Sequence, residues 1–321
     1  MKSEGKAPEA FRGEALADQV TVVPRLASVI RGKHVRILVT GVTSIHGWPI
    51  FKKLKSLVPA DRLFGIRPPQ TRIPPDVNVT SVCMTDAAAL AEIRDAFCPT
   101  HIIHAAGVCD LDICEQRPKY AHDINVGGAR NIVNVFSETC AILYLSADLV
   151  FSGHNPPPAG YGETDDPDPV SVVGVTYLLA EQEIRRAPRW CIVRLGLPMG
   201  DSIKGEKGAV DFIEGRLRRG LPMSLFHDEW RSCIDCDELA DAVLALLDKG
   251  ASGRYHLGGP RAVSLYEIGE RILRKGNYRA EALKKWSRHD DVNGPPRIGN
   301  VHLNSAKTEK EIGRKIREWV L

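Results

Sequence analysis

Short apolar segments of strand length alternate with segments of helical length from residue 35 to residue 195. The predicted strands are 35–39, 63–66, 78–82, 101–104, 141–145 and 190–195. The predicted helices between them are 46–57, 86–97, 121–139 and 176–186. Strands and helices at this spacing form βαβ units, whose right-handed crossovers place helices on both faces of a parallel sheet. The sequence therefore predicts an α/β fold with a doubly wound parallel sheet.

The first predicted strand runs directly into residues 40–47, TGVTSIHG, which open the first helix. A dinucleotide-binding turn needs one glycine where the chain reverses and another where the helix packs on the strand. The N-terminus of the helix then presents N–H groups to a diphosphate. Most glycine-containing turns after a strand bind nothing, but the position in the first βα unit favours a Rossmann-type turn. The predicted cofactor-binding residues here are Gly41, Ser44, Ile45, His46 and Gly47.

The pattern becomes less regular in the C-terminal third of the chain. Three helices are predicted there, at 209–219, 237–247 and 265–275, separated by joints rich in proline and glycine. We therefore expect three parts along the sequence. They are an N-terminal extension at 1–33, a dinucleotide-binding Rossmann domain at 34–195, and a small substrate lobe at 196–321 with elements that return to the Rossmann domain.

The charge balance limits the classes of partner. Lysine and arginine number 43 and aspartate and glutamate number 40, which gives a net charge of +3. This balance argues against a protein whose main partner is nucleic acid or an anionic membrane surface. In addition, the sequence contains no apolar run of the roughly 18 residues that span a bilayer. We therefore predict neither a nucleic-acid nor a membrane partner.

Eight cysteines are scattered along the chain, and the N-terminal residues lack the apolar core of a secretory signal. The cysteines are therefore expected to be reduced thiols of a cytoplasmic protein. Cys233 and Cys236 have the spacing of half a zinc site, but no second pair of cysteines or histidines at ligand spacing lies nearby. The sequence therefore predicts no metal site.

Several segments, in the right order, resemble the extended short-chain dehydrogenase/reductases of the dTDP-4-dehydrorhamnose reductase type. Residues 104–107, HAAG, resemble the family's NAAG segment, and residues 145–153, LSADLVFSG, resemble its STDYVFDG segment. The branch also includes the regulatory beta subunit of methionine adenosyltransferase. This resemblance implies a nicotinamide dinucleotide and a polar substrate of the nucleotide-sugar kind. It adds further cofactor-binding residues, namely Ala105, Ala106, Gly107, Asn125 and Tyr177.

The chain departs from this family at the residues that perform its chemistry. The family uses a serine or threonine, a tyrosine and a lysine, where this sequence has Ala147, Val173 and Tyr177. Alanine and valine side chains cannot hydrogen-bond. On the cofactor side, Ser44 replaces the middle glycine of the turn, and Cys83 replaces an aspartate that usually contacts the adenine. The ordinary hydride transfer is therefore not expected by the family mechanism.

Two hypotheses of different classes remain. The first is an enzyme of altered chemistry, with Asp148, Tyr177 and Ser146 as catalytic candidates and Cys109, Asp148 and Arg231 as substrate-binding candidates. We expect Asp148 and Arg231 on opposite walls of a ligand pocket, with Arg231 at the surface of the lobe. Four of these residues also have a structural explanation. Ser146 can satisfy backbone groups, Asp148 can cap a turn, and Tyr177 can fill the space of the lysine. Arg231 can form a surface ion pair with Asp228 or Glu229.

The second hypothesis is a catalytically inactive, NADP-binding regulatory or scaffold subunit, with a protein partner or a second copy of the chain. The choice between the two forms of the cofactor depends on Arg67 and Arg72, which follow the second predicted strand. A basic residue there can pair with the 2′-phosphate of NADP. The alternative for both is a solvated loop arginine. We expect NADP, bound more weakly than is usual in the family, and the alternatives are NAD or the absence of dinucleotide binding.

Overall fold

The computed structural model describes residues 29–71, 76, 78–200, 203 and 208–320. The first 28 residues of the predicted N-terminal extension and Arg72 therefore lie outside the described residues. The strands are β1 Ile37–Thr40, β2 Leu63–Arg67, β3 Val79–Ser81, β4 His101–His104, β5 Ala141–Ala147, β6 Trp190–Leu195, β7 Leu197–Met199, β8 Met223–Phe226, β9 Trp230–Asp235, β10 Gly253–Leu257, β11 Ala262–Ser264, β12 Leu283–Trp286 and β13 Asn300–Val301. The helices are α1 Gly47–Leu57, α2 Ala87–Phe97, α3 Leu111–Gln116, α4 Pro118–His122, α5 Gly128–Phe136, α6 Val172–Ile184, α7 Ala209–Arg218, α8 Cys236–Asp248, α9 Leu265–Lys275 and α10 Ala306–Ile312.

A seven-stranded sheet with the order β10-β6-β5-β4-β1-β2-β3 forms the centre of the molecule. Every neighbouring pair in it is parallel. The order of the first six strands is that of the Rossmann fold, in which ligands bind where the order reverses, between β1 and β4. The predicted doubly wound parallel sheet is confirmed.

Successive side chains of the central strands point to opposite faces of the sheet, and each face has its own hydrophobic core. Leu38 and Ile102 point to one face, where they pack with residues of α2, α5 and α6. Their neighbours Val39 and Ile103 point to the other face, where they pack with residues of α1 and α8. All four side chains are fully buried. Burial on both faces explains why these strands are uninterrupted apolar runs.

Two of the predicted helices, those at 121–139 and 176–186, differ from their observed limits. The predicted helix at 121–139 is divided into α4, a π-helical turn at Asp123–Gly127, and α5. Helix α6 begins four residues before its predicted start, because the Ser171 hydroxyl oxygen accepts a hydrogen bond from the Gly174 N–H at 3.2 Å and caps the helix. The additional turn of α6 brings Val173 into the core.

Two small sheets lie beside the central sheet. In one of them β9 pairs with β7, β11 and β13, and in the other β8 pairs with β12. With α7 and α9 they surround a separate core that includes Met199, Ile213 and Ile268. We refer to these six strands and two helices as the small lobe. Sequence analysis predicted its helices but not its strands, which are two to six residues long.

Candidate functional site

The turn between β1 and α1 lies against the loop that follows β4. Gly41 has a φ of +68°, and a Cβ atom there would lie 2.5 Å from the carbonyl oxygen of Ala105. A Cβ on Gly47 would lie 2.2 Å from the carbonyl oxygen of Gly41. Both glycines are therefore required by the close approach of backbone to backbone. The turn thus places the predicted residues 41–47 and 105–107 side by side at the carboxyl end of the sheet.

The Ser44 side chain is hydrogen-bonded to one of the backbone N–H groups of this turn. Its hydroxyl oxygen accepts a hydrogen bond from the Gly47 N–H at 2.9 Å. This N–H is at the N-terminus of α1, where unpaired amides normally attract anions. A diphosphate at this amide would have to displace the serine hydroxyl. The sequence departure at position 44 therefore has a direct structural effect.

His46 and Ile45 link the turn to its surroundings. The His46 Nε2 atom donates to the carbonyl oxygen of Ala105 at 3.2 Å. Burial lowers the pKa of His46 to about 4, so that the imidazole is neutral at pH 7. The carbonyl oxygen of Ile45 accepts a hydrogen bond from the Cys236 thiol at 3.5 Å. Both residues therefore fix the turn in position.

Arg67 is a predicted cofactor-binding residue, and Cys83 stands where the family usually has an aspartate. Both side chains bond to their own loops. Arg67 ends β2, and its Nη1 atom donates to the carbonyl oxygens of Pro68 at 3.3 Å and Thr71 at 2.8 Å. The Cys83 thiol lies 3.1 Å from the Thr85 hydroxyl. An anion at Arg67 would therefore have to compete with these two carbonyl oxygens for the guanidinium.

Asn125 holds the loop after β4 from the π-helical turn. Its Oδ1 atom accepts from the Val108 N–H at 2.8 Å, and its Nδ2 atom donates to the Val108 carbonyl oxygen at 3.0 Å. The same Nδ2 atom donates to the Thr176 hydroxyl at 2.9 Å. Asn125 is buried. It therefore fixes the backbone of the loop after β4 against the π-helical turn and α6.

Three aromatic rings stack beneath the cleft. The ring of His104 lies 5.4 Å from that of Tyr144, which lies 6.3 Å from that of Tyr177. Burial lowers the pKa of His104 to about 4 and raises the pKa of Tyr177 well above its ordinary value. A Cβ on Gly107 would lie 2.7 Å from the Tyr177 hydroxyl. Tyr177 thus fills the space next to Gly107 as a neutral phenol.

Ser146 belongs to a buried ionic cluster. Its hydroxyl donates to Glu181 Oε1 at 2.7 Å. Arg194 binds the same carboxylate in a bidentate manner, with both N–H···O distances at 2.8 Å, and its guanidinium lies 5.0 Å from the centre of the Phe151 ring. These polar residues are all buried. The Ser146 hydroxyl is therefore engaged within the protein.

Asp148 and Arg231 form a second buried cluster. The Arg231 Nε atom donates to Asp148 Oδ2 at 2.7 Å, and its Nη2 atom bonds the other carboxylate oxygen. Glu229 and Arg297 extend this cluster, with a distance of 3.3 Å between Arg297 Nη1 and Glu229 Oε2. The expectation that Asp148 and Arg231 lie on opposite walls of a pocket is wrong, because their charged groups are in direct contact. Arg231 is 8% exposed and does not lie at the surface of the lobe.

The electrostatics of this pair reflect burial and contact together. Burial raises the pKa of Asp148, and the Arg231 guanidinium opposes that rise. Burial by itself would lower the pKa of Arg231, but the Asp148 carboxylate beside it raises the pKa above its usual value. The pair joins β9 of the small lobe to the residue that follows β5.

Cys109, the remaining substrate candidate, is exposed on the loop after β4. Cys233 and Cys236 are both buried. Among the described residues, no group of three or more histidine, cysteine, aspartate or glutamate side chains could hold a metal ion. Across the same residues, no helix has the length and apolar composition needed to cross a membrane.

Glu181 and Arg194 were not identified from the sequence as residues of this region, whereas Glu229 was considered as an ion-pair partner of Arg231 and lies 3.9 Å from it. For Arg194 a signal was present, since it is the single charged residue of the apolar strand WCIVRL. A charge in a buried strand needs a partner. The identity of that partner depends on the packing of α6 on the sheet, which the sequence pattern does not contain.

Comparisons with known proteins agree with this architecture. The family described as RmlD substrate binding domain matches residues 35–321. Methionine adenosyltransferase 2 subunit beta from Xenopus laevis is 28% identical over 305 residues, which cover 92% of this chain and 85% of that protein.

Solved structures match over a similar extent. A hypothetical dTDP-4-dehydrorhamnose reductase from Sulfolobus tokodaii has a TM-score of 0.77 and 25% identity, covering 89% of this chain and 98% of that chain. A dTDP-4-dehydrorhamnose reductase from Bacillus anthracis, solved in complex with NADP, has a TM-score of 0.73 and 19% identity, covering 89% and 95%. The resemblance found in the sequence motifs is confirmed.

Proposed function

The chain belongs to the RmlD substrate-binding domain family, and from that membership we propose that it binds NADP or NAD and regulates or scaffolds another enzyme without catalysing hydride transfer. The relatives named as beta subunits of methionine adenosyltransferase support a protein partner. The solved relative that contains NADP supports a dinucleotide. Of the two sequence hypotheses, the inactive subunit is the one that the geometry favours.

One observation carries this choice: the candidate proton-transfer groups are engaged or neutral. The Ser146 hydroxyl donates to Glu181, and the Asp148 carboxylate binds Arg231. Tyr177 is a buried phenol whose pKa is raised by burial. A general acid or base must reach the reacting atom and have a pKa near the working pH. None of these three side chains meets both conditions.

The residues at the carboxyl end of the sheet fit the phosphate half of a dinucleotide better than the nicotinamide half. The turn at 41–47 would hold the diphosphate, and Arg67 would meet a 2′-phosphate. When bound, a nicotinamide ring supplies a hydride donor or acceptor. Beyond residues 105–107, however, the next side chain is the Tyr177 phenol, which carries no positive charge. We therefore infer that recognition is concentrated on the adenosine diphosphate portion.

The Ser44→Gly variant is expected to bind NADP about 2- to 10-fold more tightly, because it frees the Gly47 N–H from a hydrogen bond worth about 0.5–1.5 kcal/mol. Isothermal titration calorimetry measures the affinity, and Ser44→Thr, which retains the hydroxyl, is the matched control. Equal affinity in Ser44→Gly and Ser44→Thr would contradict the role of Ser44. Absence of NADP and NAD binding in the unsubstituted protein would contradict the proposed function itself.

NADP and 2′-phospho-ADP-ribose are expected to bind with affinities within about threefold of each other. The corresponding difference in binding free energy is no larger than the net contribution of one hydrogen bond. The reason is that the nicotinamide half meets Tyr177 instead of a lysine. Tyr177→Lys should make NADP the tighter ligand, whereas Tyr177→Phe should leave the ratio unchanged. If the unsubstituted protein bound NADP about tenfold more tightly than 2′-phospho-ADP-ribose, recognition would not be concentrated on the adenosine diphosphate portion.

A further inference from the structure

A groove of about 410 Å³ lies in the small lobe, between α7 and the two-stranded sheet of β8 and β12. It is distinct from the cleft at the carboxyl end of the central sheet. Its apolar lining consists of Phe212, Pro222, Met223 and Trp286. Phe212 is 58% exposed and Trp286 is 36% exposed. Clustered exposed aromatic side chains are characteristic of recognition surfaces.

The aromatic floor of this groove is held rigidly. The Trp286 ring stacks on the Phe226 ring with centroids 5.5 Å apart and an interplanar angle of 15°. The guanidinium of Arg297 lies 4.3 Å from the centre of the Phe226 ring. Arg297 is in turn fixed by Glu229. Trp286 is therefore preorganised as an anchor surface, which lowers the entropy cost of binding.

The charged groups at the groove are cationic. Arg216 and Lys284 line it, and among the described residues no carboxylate does. The Arg216 Nη2 atom donates to the Pro222 carbonyl oxygen at 2.7 Å, which holds its guanidinium at the groove. This charge pattern is complementary to an acidic ligand.

The backbone at the groove favours an extended ligand. Within the described part of the chain, β8 and β12 pair with each other and with no further strand. Their outer edges therefore carry backbone N–H and C=O groups that can pair with an added strand. Lys284 and Trp286 are two residues apart on β12 and line the same groove, so every second side chain of an added strand would turn toward both.

We propose that the groove between α7 and the β8–β12 sheet binds an extended acidic peptide segment of a partner protein through one aromatic or large aliphatic anchor residue. The anchor packs on Trp286 and Phe212. Carboxylates on both sides of the anchor pair with Arg216 and Lys284. This site does not depend on dinucleotide binding or on the cleft.

The test is a library of random short peptides selected against the immobilised full-length protein. The expected result is a consensus of aspartate and glutamate around a single aromatic or aliphatic residue. A fluorescein-labelled peptide with this consensus should bind in fluorescence anisotropy, more weakly at high salt. The same peptide with lysine in place of each acidic residue should not bind.

Three variants place the binding in the groove. Phe212→Ala, Trp286→Ala and Lys284→Glu should each weaken the labelled peptide by about tenfold or more. Lys284→Glu changes an exposed side chain, so it tests the site even where Trp286→Ala impairs folding. The matched control is Tyr120→Ala, which removes an aromatic residue of similar exposure, 37%, from α4.

Three outcomes would overturn the proposal. One is a library without enrichment of acidic residues. Another is a labelled peptide that binds Phe212→Ala and Lys284→Glu as tightly as it binds Tyr120→Ala. The third is sedimentation showing self-association that Phe212→Ala abolishes, which would assign the groove to a second copy of the chain.

Discussion

The Arg231→Met variant is expected to have a free energy of unfolding about 3–5 kcal/mol lower than the unsubstituted protein, because it leaves a buried carboxylate without its partner. Asp148 is fully buried, and Arg231 binds both of its carboxylate oxygens. Methionine can occupy the space of the arginine stem without supplying a charge. Urea unfolding at pH 7 followed by circular dichroism measures the difference.

The loss of unfolding free energy in Arg231→Met should depend on pH in a defined direction. Burial already raises the pKa of Asp148, and the arginine that opposes the rise is absent in Arg231→Met. The folded variant therefore retains a proton on Asp148 at pH values where the unfolded chain has lost it. Its stability then falls as pH rises above the pKa of the unfolded carboxyl, until the folded pKa is reached. The destabilisation should be smallest near the pKa of an ordinary aspartate and larger at pH 7.

A double variant provides the control for this prediction. Asp148→Leu combined with Arg231→Met removes both charges and should recover much of the stability lost in Arg231→Met, because no unpaired buried charge remains. A single variant Arg231→Met that unfolds at the same urea concentration as the unsubstituted protein at all pH values would show that the pair is not buried as described.

NADPH consumption with dTDP-4-dehydrorhamnose is expected to be at least about 10⁴-fold below the rate of an active family member. Loss of a general acid or base costs roughly 10²- to 10⁴-fold, and on the proposed function residue 177 is a tyrosine where active family members are expected to have a ribose-binding lysine. Val173 is fully buried and Tyr177 is a neutral phenol, so neither replaces the missing group. Absorbance at the nicotinamide band of NADPH measures the rate.

Any residual rate should be the same in Tyr177→Phe, which keeps the stacked ring and removes the hydroxyl. An active dTDP-4-dehydrorhamnose reductase assayed in parallel verifies the substrate. A turnover of about 1 to 10³ per second by the unsubstituted protein would show that the cleft retains an ordinary active site. A large loss in Tyr177→Phe alone would assign catalysis to the displaced tyrosine.

The Rossmann half of the fold could be predicted from the sequence because its strands are buried on both faces. Strands β4 and β6 were both predicted with their observed limits. Such strands are uninterrupted apolar runs that need no partner to be identified. The strands of the small lobe were missed, since β12 has the sequence LKKW and β13 has only two residues. Their strand conformation depends on neighbours that are distant in the sequence.

The candidate site could be predicted as a set of positions but not as a set of contacts. The turn and the residues after β4 were located from their motifs, and the structure brings them together. The contact between Asp148 and Arg231 was missed because 83 positions separate them, and Asp148 follows β5 of the central sheet whereas Arg231 lies in β9 of a small sheet. A sequence shows which polar groups are present, while the tertiary packing determines which of them bond to each other.

The seventh strand of the central sheet has a consequence for synthesis and folding. Strand β10 follows four of the eight small-lobe elements in the sequence, yet it pairs with β6 along its whole length. Helix α8, which precedes β10, packs against α1 at the other end of the chain. A nascent chain that has emerged only as far as β6 therefore exposes an unpaired strand edge and an uncovered apolar face. Correct folding must wait until β10 has left the ribosome, and a chaperone that protects that edge should raise the yield of native protein.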